Sequence, residues 1–373
     1  MSSTEQMTKS SHPPCLRRWG TKVRTAMAAS QDCIISCVSA VCLLIMMVAG
    51  GMVVIFPAPT PSMDNVLVVG GYGDDYRSRD TVELLNNTSG TKSKILGKFP
   101  KKIWGAVGTI LNGTPHICGG EDDDHDSLQE CWAYNFRSEM WTVSARMREK
   151  RYLAAAASHP THGWVITGGY EPGSLKSIAE STRDGRTFQP FPQLPLGLFQ
   201  HCLVSLEGSD SGDFFLTGGD SGNGRNKKTL IFKKGRWRQV GDMLTARGRL
   251  MCGAVRSGPS GPVEHVVAAG GYAFGTNALS TVEIYSVKSN TWRKGTNLPK
   301  PLNRAAVVPY GTTFLIIGGD DGTIFSDKVY EYTTYGMWTE MTMKLSEGKR
   351  DLVAINVPCL TNLTVSLCLP VAA

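Results

Sequence analysis

Short apolar runs recur along this chain at a nearly constant interval, and each ends in two glycines. The runs VLVV, HIC, WVIT, FFLT, HVVAA and FLII lead into Gly70-Gly71, Gly119-Gly120, Gly168-Gly169, Gly218-Gly219, Gly270-Gly271 and Gly318-Gly319. Successive pairs lie 49, 49, 50, 52 and 48 residues apart. Runs of this length bounded by Gly-rich loops read as strands rather than helices. Beyond each pair a polar loop leads into a second alternating stretch, such as TVELL at 81–85, STVEIYS at 280–286 and DKVYEYT at 327–333. Alternation at period two places one face of each strand toward a core.

Two further features keep the same beat. About 19–21 residues after the pair stands an aromatic, at Trp141, Phe188, Trp292 and Trp338, with Trp237 slightly earlier. A basic turn then precedes a strand of small residues, as in RYLAAAAS, RLMCGAVRS and NRAAVVPYG. Small side chains suit a crowded innermost strand, and a double glycine lets the chain turn sharply beside a neighbouring strand. A large aromatic fills the wider gap between wedge-shaped sheets.

A period near 50 with this pattern resembles the kelch repeat, one four-stranded blade of a β-propeller. The resemblance covers residues 64–357 and implies an all-β, six-bladed kelch-type propeller. The first blade departs from it, with Leu96 or Phe99 near the position of the aromatic. That blade also lacks room for an innermost strand before VLVVGG, while KRDLVAINV at 349–357 has no double glycine after it. The C-terminal strand is therefore expected to complete the first blade and close the ring, removing free sheet edges.

Ahead of the repeats, Cys33 to Phe56 forms 24 residues without a charge. That is long enough to span a hydrocarbon core as one transmembrane helix, and longer than the core of a cleaved signal peptide. Arg17, Arg18, Lys22 and Arg24 precede it, and Pro57, Pro59 and Pro61 follow. Basic flanks stay cytoplasmic. The expected order is a cytosolic tail (1–32), an anchor (33–56), a linker (57–63), the propeller outside the cytosol (64–357) and a tail (358–373). The formal charge of +7 includes +3 within residues 1–32. The rest is too dilute for the basic stripe that nucleic acid needs.

An extracellular or lumenal placement fits the sequons at Asn86, Asn87, Asn112 and Asn362, and the six cysteines beyond the anchor. Cys118 and Cys131 fall on antiparallel neighbours and can be bridged. Cys359 and Cys368 can close a small terminal loop. Cys202 and Cys252, at similar places on innermost strands, read as small buried thiols.

The loops after the double glycines are acidic and the turns before the innermost strands are basic, and both series should share one face. Arg151, Arg249, Arg304 and Arg350 with Asp74, Asp75, Asp122, Asp220 and Asp320 make that face the candidate binding surface for a protein or glycan ligand. Each of these residues also has a structural reading, as a solvated loop or a local ion pair. EDDDHD at 121–126 lacks the Gly-and-Glu layout of a helix–loop–helix calcium site. No phosphate loop, His-Glu-x-x-His or nucleophile elbow is present, so no cofactor, metal or catalytic residue is assigned. Some kelch-like propellers are enzymes, among them copper radical oxidases and sialic acid mutarotases. The resemblance therefore keeps a pore-centred sugar-acid enzyme as the alternative, with a structural adhesion or matrix role as a third reading.

Overall fold

In the computed structural model, residues 65–86 and 93–357 are described in full, together with the backbone of three strands between 33 and 55. The chain divides into two units, Met1–Ser62 and Met63–Ala373.

In the first unit the apolar segment read as a helix carries strands Cys33–Val38, Val41–Val48 and Gly51–Ile55, in one antiparallel sheet of that order. Its many Val and Ile residues suit a pleated strand. No helix among the described residues is long and apolar enough to cross a membrane. The transmembrane anchor is therefore an inference from the sequence. Cys359, Cys368, Asn87 and Asn362 lie outside the described residues.

The second unit is the propeller. Its six antiparallel sheets each have four radial strands, numbered here as blades 1 to 6 in the order of their double glycines. From the centre outward, blade 2 is built from Val107–Leu111, Thr114–Cys118, Glu130–Asn135 and Met140–Arg146. Blades 3 to 6 repeat the plan, with innermost strands Ala155–His159, Cys202–Ser205, Met251–Arg256 and Ala306–Tyr310. Blade 1 is closed as expected. Val353–Val357 pairs with Asn65–Val69, from Val353 opposite Val69 to Val357 opposite Asn65. The first strand of the propeller is thus held by its last, and the ring has no open seam.

The double glycines are required by space. A Cβ on Gly70 would stand 2.4 Å from the carbonyl oxygen of Ile103, and the residue has φ +64. All six pairs have positive φ throughout. The second glycine of each pair donates its N–H to the turn before the next blade's innermost strand, as Gly71 does to Ile103 and Gly219 to Arg247.

The aromatics fill the gaps between blades. Trp237, Trp292 and Trp338 donate their indole N–H to carbonyls of the preceding blade's outer edge, at Pro192, Gly241 and Thr296, at 2.9, 2.8 and 3.0 Å. Blade 1 has no aromatic at that position; its Phe99 lies further along the outer strand and packs edge-on against Trp132 and Trp141 of the following blade, both at 5.1 Å.

Among the described residues, two disulfides brace the ring. Cys118–Cys131 joins the second and third strands of blade 2. Cys202–Cys252 joins the innermost strands of blades 4 and 5, and this corrects the reading of those cysteines as free thiols. Innermost strands converge near the axis, so equivalent positions of adjacent blades come within bonding reach, here with Cα atoms 6.0 Å apart. The separation of 50 residues, one blade period, was the available signal.

Candidate functional site at the upper mouth

The loops after the double glycines and the turns before the innermost strands share one face, called the upper face here. They are stitched together by short bridges: Trp104 to Glu121, Tyr152 to Tyr170, Phe199 to Asp220, Gly248 to Tyr272, Asn303 to Asp320 and Arg350 to Tyr72.

Around the axis of this face six residues form a closed ring: Gly105, Leu153, Gln200, Arg249, Arg304 and Asp351. Each donates its backbone N–H to the carbonyl of the one before, and Gly105 donates to Asp351, at 2.7–3.0 Å throughout. All six are left-handed, with φ between 51 and 64. For the five non-glycine members that conformation costs about 1–2 kcal/mol each, offset by the ring bonds. The geometry turns their side chains toward a mouth of about 140 Å³, lined also by His201.

The mouth is mostly cationic. Arg304 pairs with Asp351 at 3.6 Å, and Arg350 with Asp320 at 3.4 Å. Arg225 pairs with Asp220. Arg350 also lies over the rings of Phe325 and Tyr72, and Arg225 over Tyr272. Arg249 differs from these three. Its Nε donates to Gln200 Oε1 at 3.1 Å and it lies over Tyr272, but among the described residues no carboxylate pairs with it. Burial, with the repulsion of Arg304 second, lowers its pKa to about 10. Burial raises the Asp351 carboxyl, against the pull of Arg304, Arg350 and Arg249. Burial alone takes His201 to about 3, so this histidine is neutral, with Nε2 on Thr167 Oγ1.

The other predicted residues fall differently. Arg151 does not reach the face. It is 1% exposed and held by Glu180 and the carbonyls of Gly168 and Ile178. Asp320 and Asp220 lie on the upper loops and are held by Arg350 and Arg225. Asp122 is buried against Lys101 at 2.7 Å. Asp75 pairs with Arg79 at 2.8 Å, and Asp74 is exposed on the same loop. No cluster of three or more metal-ligating side chains occurs among the described residues.

The sequence reading also missed an alternation. Arg151, Arg247 and Lys349 occupy the same turn position in front of blades 3, 5 and 1, and each is buried against a third-strand glutamate, Glu180, Glu283 or Glu83. In front of blades 2, 4 and 6 that turn position holds Ile103, Leu198 and Leu302, and the strand position holds Trp132, Leu230 and Tyr330, all buried. Lining up Glu83, Glu180 and Glu283 against the double glycines would have revealed it.

An apolar crest borders the mouth. Phe274, Ile324 and Tyr76, on the upper loops of the consecutive blades 5, 6 and 1, are 94%, 69% and 64% exposed. These loops approach one another. Tyr76 meets Phe325 edge-on at 5.9 Å, and a Cβ on Gly322 would lie 3.7 Å from that of Asn277.

Comparison with known proteins agrees with this architecture. Residues 264–299, in blade 5, match the Kelch motif. Spermatocyte protein spe-26 of Caenorhabditis elegans is 29% identical over 89 residues, which are 24% of this chain and only 15% of that protein. The solved "Structure of YjhT" shares 14% identity with a TM-score of 0.57, over 76% of this chain and 98% of that one, a likeness of fold. The ring, its repeat spacing and the likeness of fold make the chain a six-bladed β-propeller, one blade of which matches the Kelch motif.

Proposed function

We propose that the propeller is a non-enzymatic recognition domain that binds a protein or glycan ligand at the upper mouth, with a ligand carboxylate seated on Arg249. The observation that carries this reading is the half-buried Arg249, which among the described residues has no carboxylate partner while its neighbouring arginines have theirs. A partly desolvated guanidinium with free donors favours a planar anion, and carboxylates accept its fork in bidentate fashion. The adjoining crest favours a protein over a glycan, because exposed aromatic and aliphatic side chains beside arginine are the usual anchors of protein interfaces.

In this reading the domain is displayed on the extracellular or lumenal side of a membrane through residues 33–56, with the N-terminus in the cytosol. The uncharged segment, its basic N-terminal flank and the two disulfides support that placement. Kelch-type propellers are commonly protein-binding scaffolds. One observation favours the enzymatic alternative. Asp351, with its raised carboxyl pKa and Arg304 beside it, could exchange a proton with a sugar acid in the mouth.

The test is to probe arrays of acidic peptides and of carboxylated glycans with the full-length protein and its Arg249→Ala variant. Peptides combining Asp or Glu with an aromatic residue should be retained by the wild type and lost by the variant. Retention that ignores the substitution contradicts the reading. Turnover of a sugar acid that disappears in Asp351→Asn supports the alternative.

A further inference from the structure

The sequence carries four sequons, at Asn86, Asn87, Asn112 and Asn362. Neither of the two among the described residues, Asn86 and Asn112, lies on the upper loops. Asn112 is exposed at the tip of the two-residue hairpin joining Val107–Leu111 to Thr114–Cys118. The innermost strand runs away from the ring residue Gly105, so this tip is on the lower face, opposite the arginines. Asn112 has φ 50 and Gly113 φ 75, the left-handed pair of a tight hairpin turn. A Cβ on Gly113 would meet nothing within 4 Å, so the tip is surrounded by open space. The Asn112 side chain makes no hydrogen bond within the described residues. Asn86 contrasts with it: its Nδ2 donates to Asn65 Oδ1 at 2.8 Å and it is half-buried.

We infer that Asn112 carries an N-linked glycan, and that this glycan covers the lower mouth of the propeller. Attachment joins the amide nitrogen of Asn112 to the sugar's anomeric carbon, with a dolichol-linked oligosaccharide as donor and its pyrophosphate as leaving group. The hydroxyl required two residues on is that of Thr114. The consequence is directional. The lower end of the channel holds a cavity of about 430 Å³, walled by small residues such as Ala157 and Gly253 and by Ile110, two positions before Asn112. A bulky glycan at that rim hinders macromolecules from the lower face and leaves the arginine face bare for a partner. The inference rests on the extracellular or lumenal placement proposed above.

One peptide reports on both. Cleavage after Lys102 and Arg137 releases residues 103–137, which contain Asn112 together with Cys118 and Cys131. The full chain is expressed in a eukaryotic secretory host, and this peptide is weighed without reduction, before and after amidase deglycosylation. The expected result is a bridged peptide that carries a glycan and is left with Asp at 112 once the glycan is removed. Thr114→Ser should keep the glycan. Asn112→Asp, which tolerates the left-handed conformation, and Thr114→Ala should both lose it. A bridged peptide with unmodified Asn112 overturns this inference and leaves the placement standing. A peptide with neither bridge nor glycan overturns both.

Discussion

Arg247 and Arg249 stand two residues apart in one turn and do opposite work. Arg247 is buried on Glu283 at 2.6 Å, while Arg249 is a ring member facing the mouth. The sequence shows two arginines in a basic turn, and only the registry of the turn against the double glycine separates them. Arg151 and Lys349 belong with Arg247. Removing one partner of such a pair strands a buried charge, so Arg151→Met should cost about 3–5 kcal/mol, with most of it restored in Arg151→Met/Glu180→Met. Urea unfolding of the two variants measures this, and equal losses would show that the pair itself is unimportant. At Glu83, burial pushes the carboxyl up, but Lys349 and hydrogen bonds from Lys349, Ser93 and Ser346 outweigh it, and the pKa ends below its ordinary value. A depressed carboxylate stabilises the fold above its unfolded pKa, near 4.3, and the contribution is lost as pH falls through the folded value. The melting temperature should therefore drop more steeply below about pH 4.3 in the wild type than in Glu83→Gln/Lys349→Met. Parallel pH profiles would contradict that.

Among the elements, those with a steric cause were the most legible. The double glycines, the small innermost strands and the inter-blade aromatics each answer a crowding requirement that recurs at every blade, and the chain repeats them visibly. Blade 1 departs from the aromatic pattern, and its Phe99 instead meets Trp132 and Trp141 of the following blade. What stayed hidden depends on contact between blades. Cys202 and Cys252 look like isolated small residues until blades 4 and 5 are set side by side. The ring of left-handed residues leaves no trace either, since Leu, Gln, Arg and Asp share no chemistry that announces positive φ. Loop-closure entropy ranks the two disulfides. Closing 50 residues is worth roughly 4 kcal/mol and closing 13 roughly 3 kcal/mol. Thermal melts of Cys202→Ser/Cys252→Ser and Cys118→Ala/Cys131→Ala should show the larger loss in the first. The reverse order would place strain or packing above chain entropy.

For the whole molecule, closure and recognition are linked, because Arg350 and Asp351 sit in the segment that brings the C-terminal strand to blade 1. Truncation before Lys349 should abolish cooperative melting together with the mouth, and a truncated chain melting like the full one would overturn the closure scheme. The propeller was readable from repetition alone, whereas its ligand is not, since a scaffold does not encode what its loops bind. The central claim is that binding belongs to the arginine mouth on the upper face. Its most direct test is the affinity of the best array-selected acidic peptide for the full-length protein, compared between Arg249→Gln and Arg256→Gln. Arg256 ends an innermost strand at the lower face, paired with Glu207 at 2.9 Å. The account predicts that Arg249→Gln weakens binding about tenfold or more, ~1.4 kcal/mol, and that Arg256→Gln leaves it within about twofold. Equal affinities for wild type and Arg249→Gln, or a larger loss in Arg256→Gln, would contradict it.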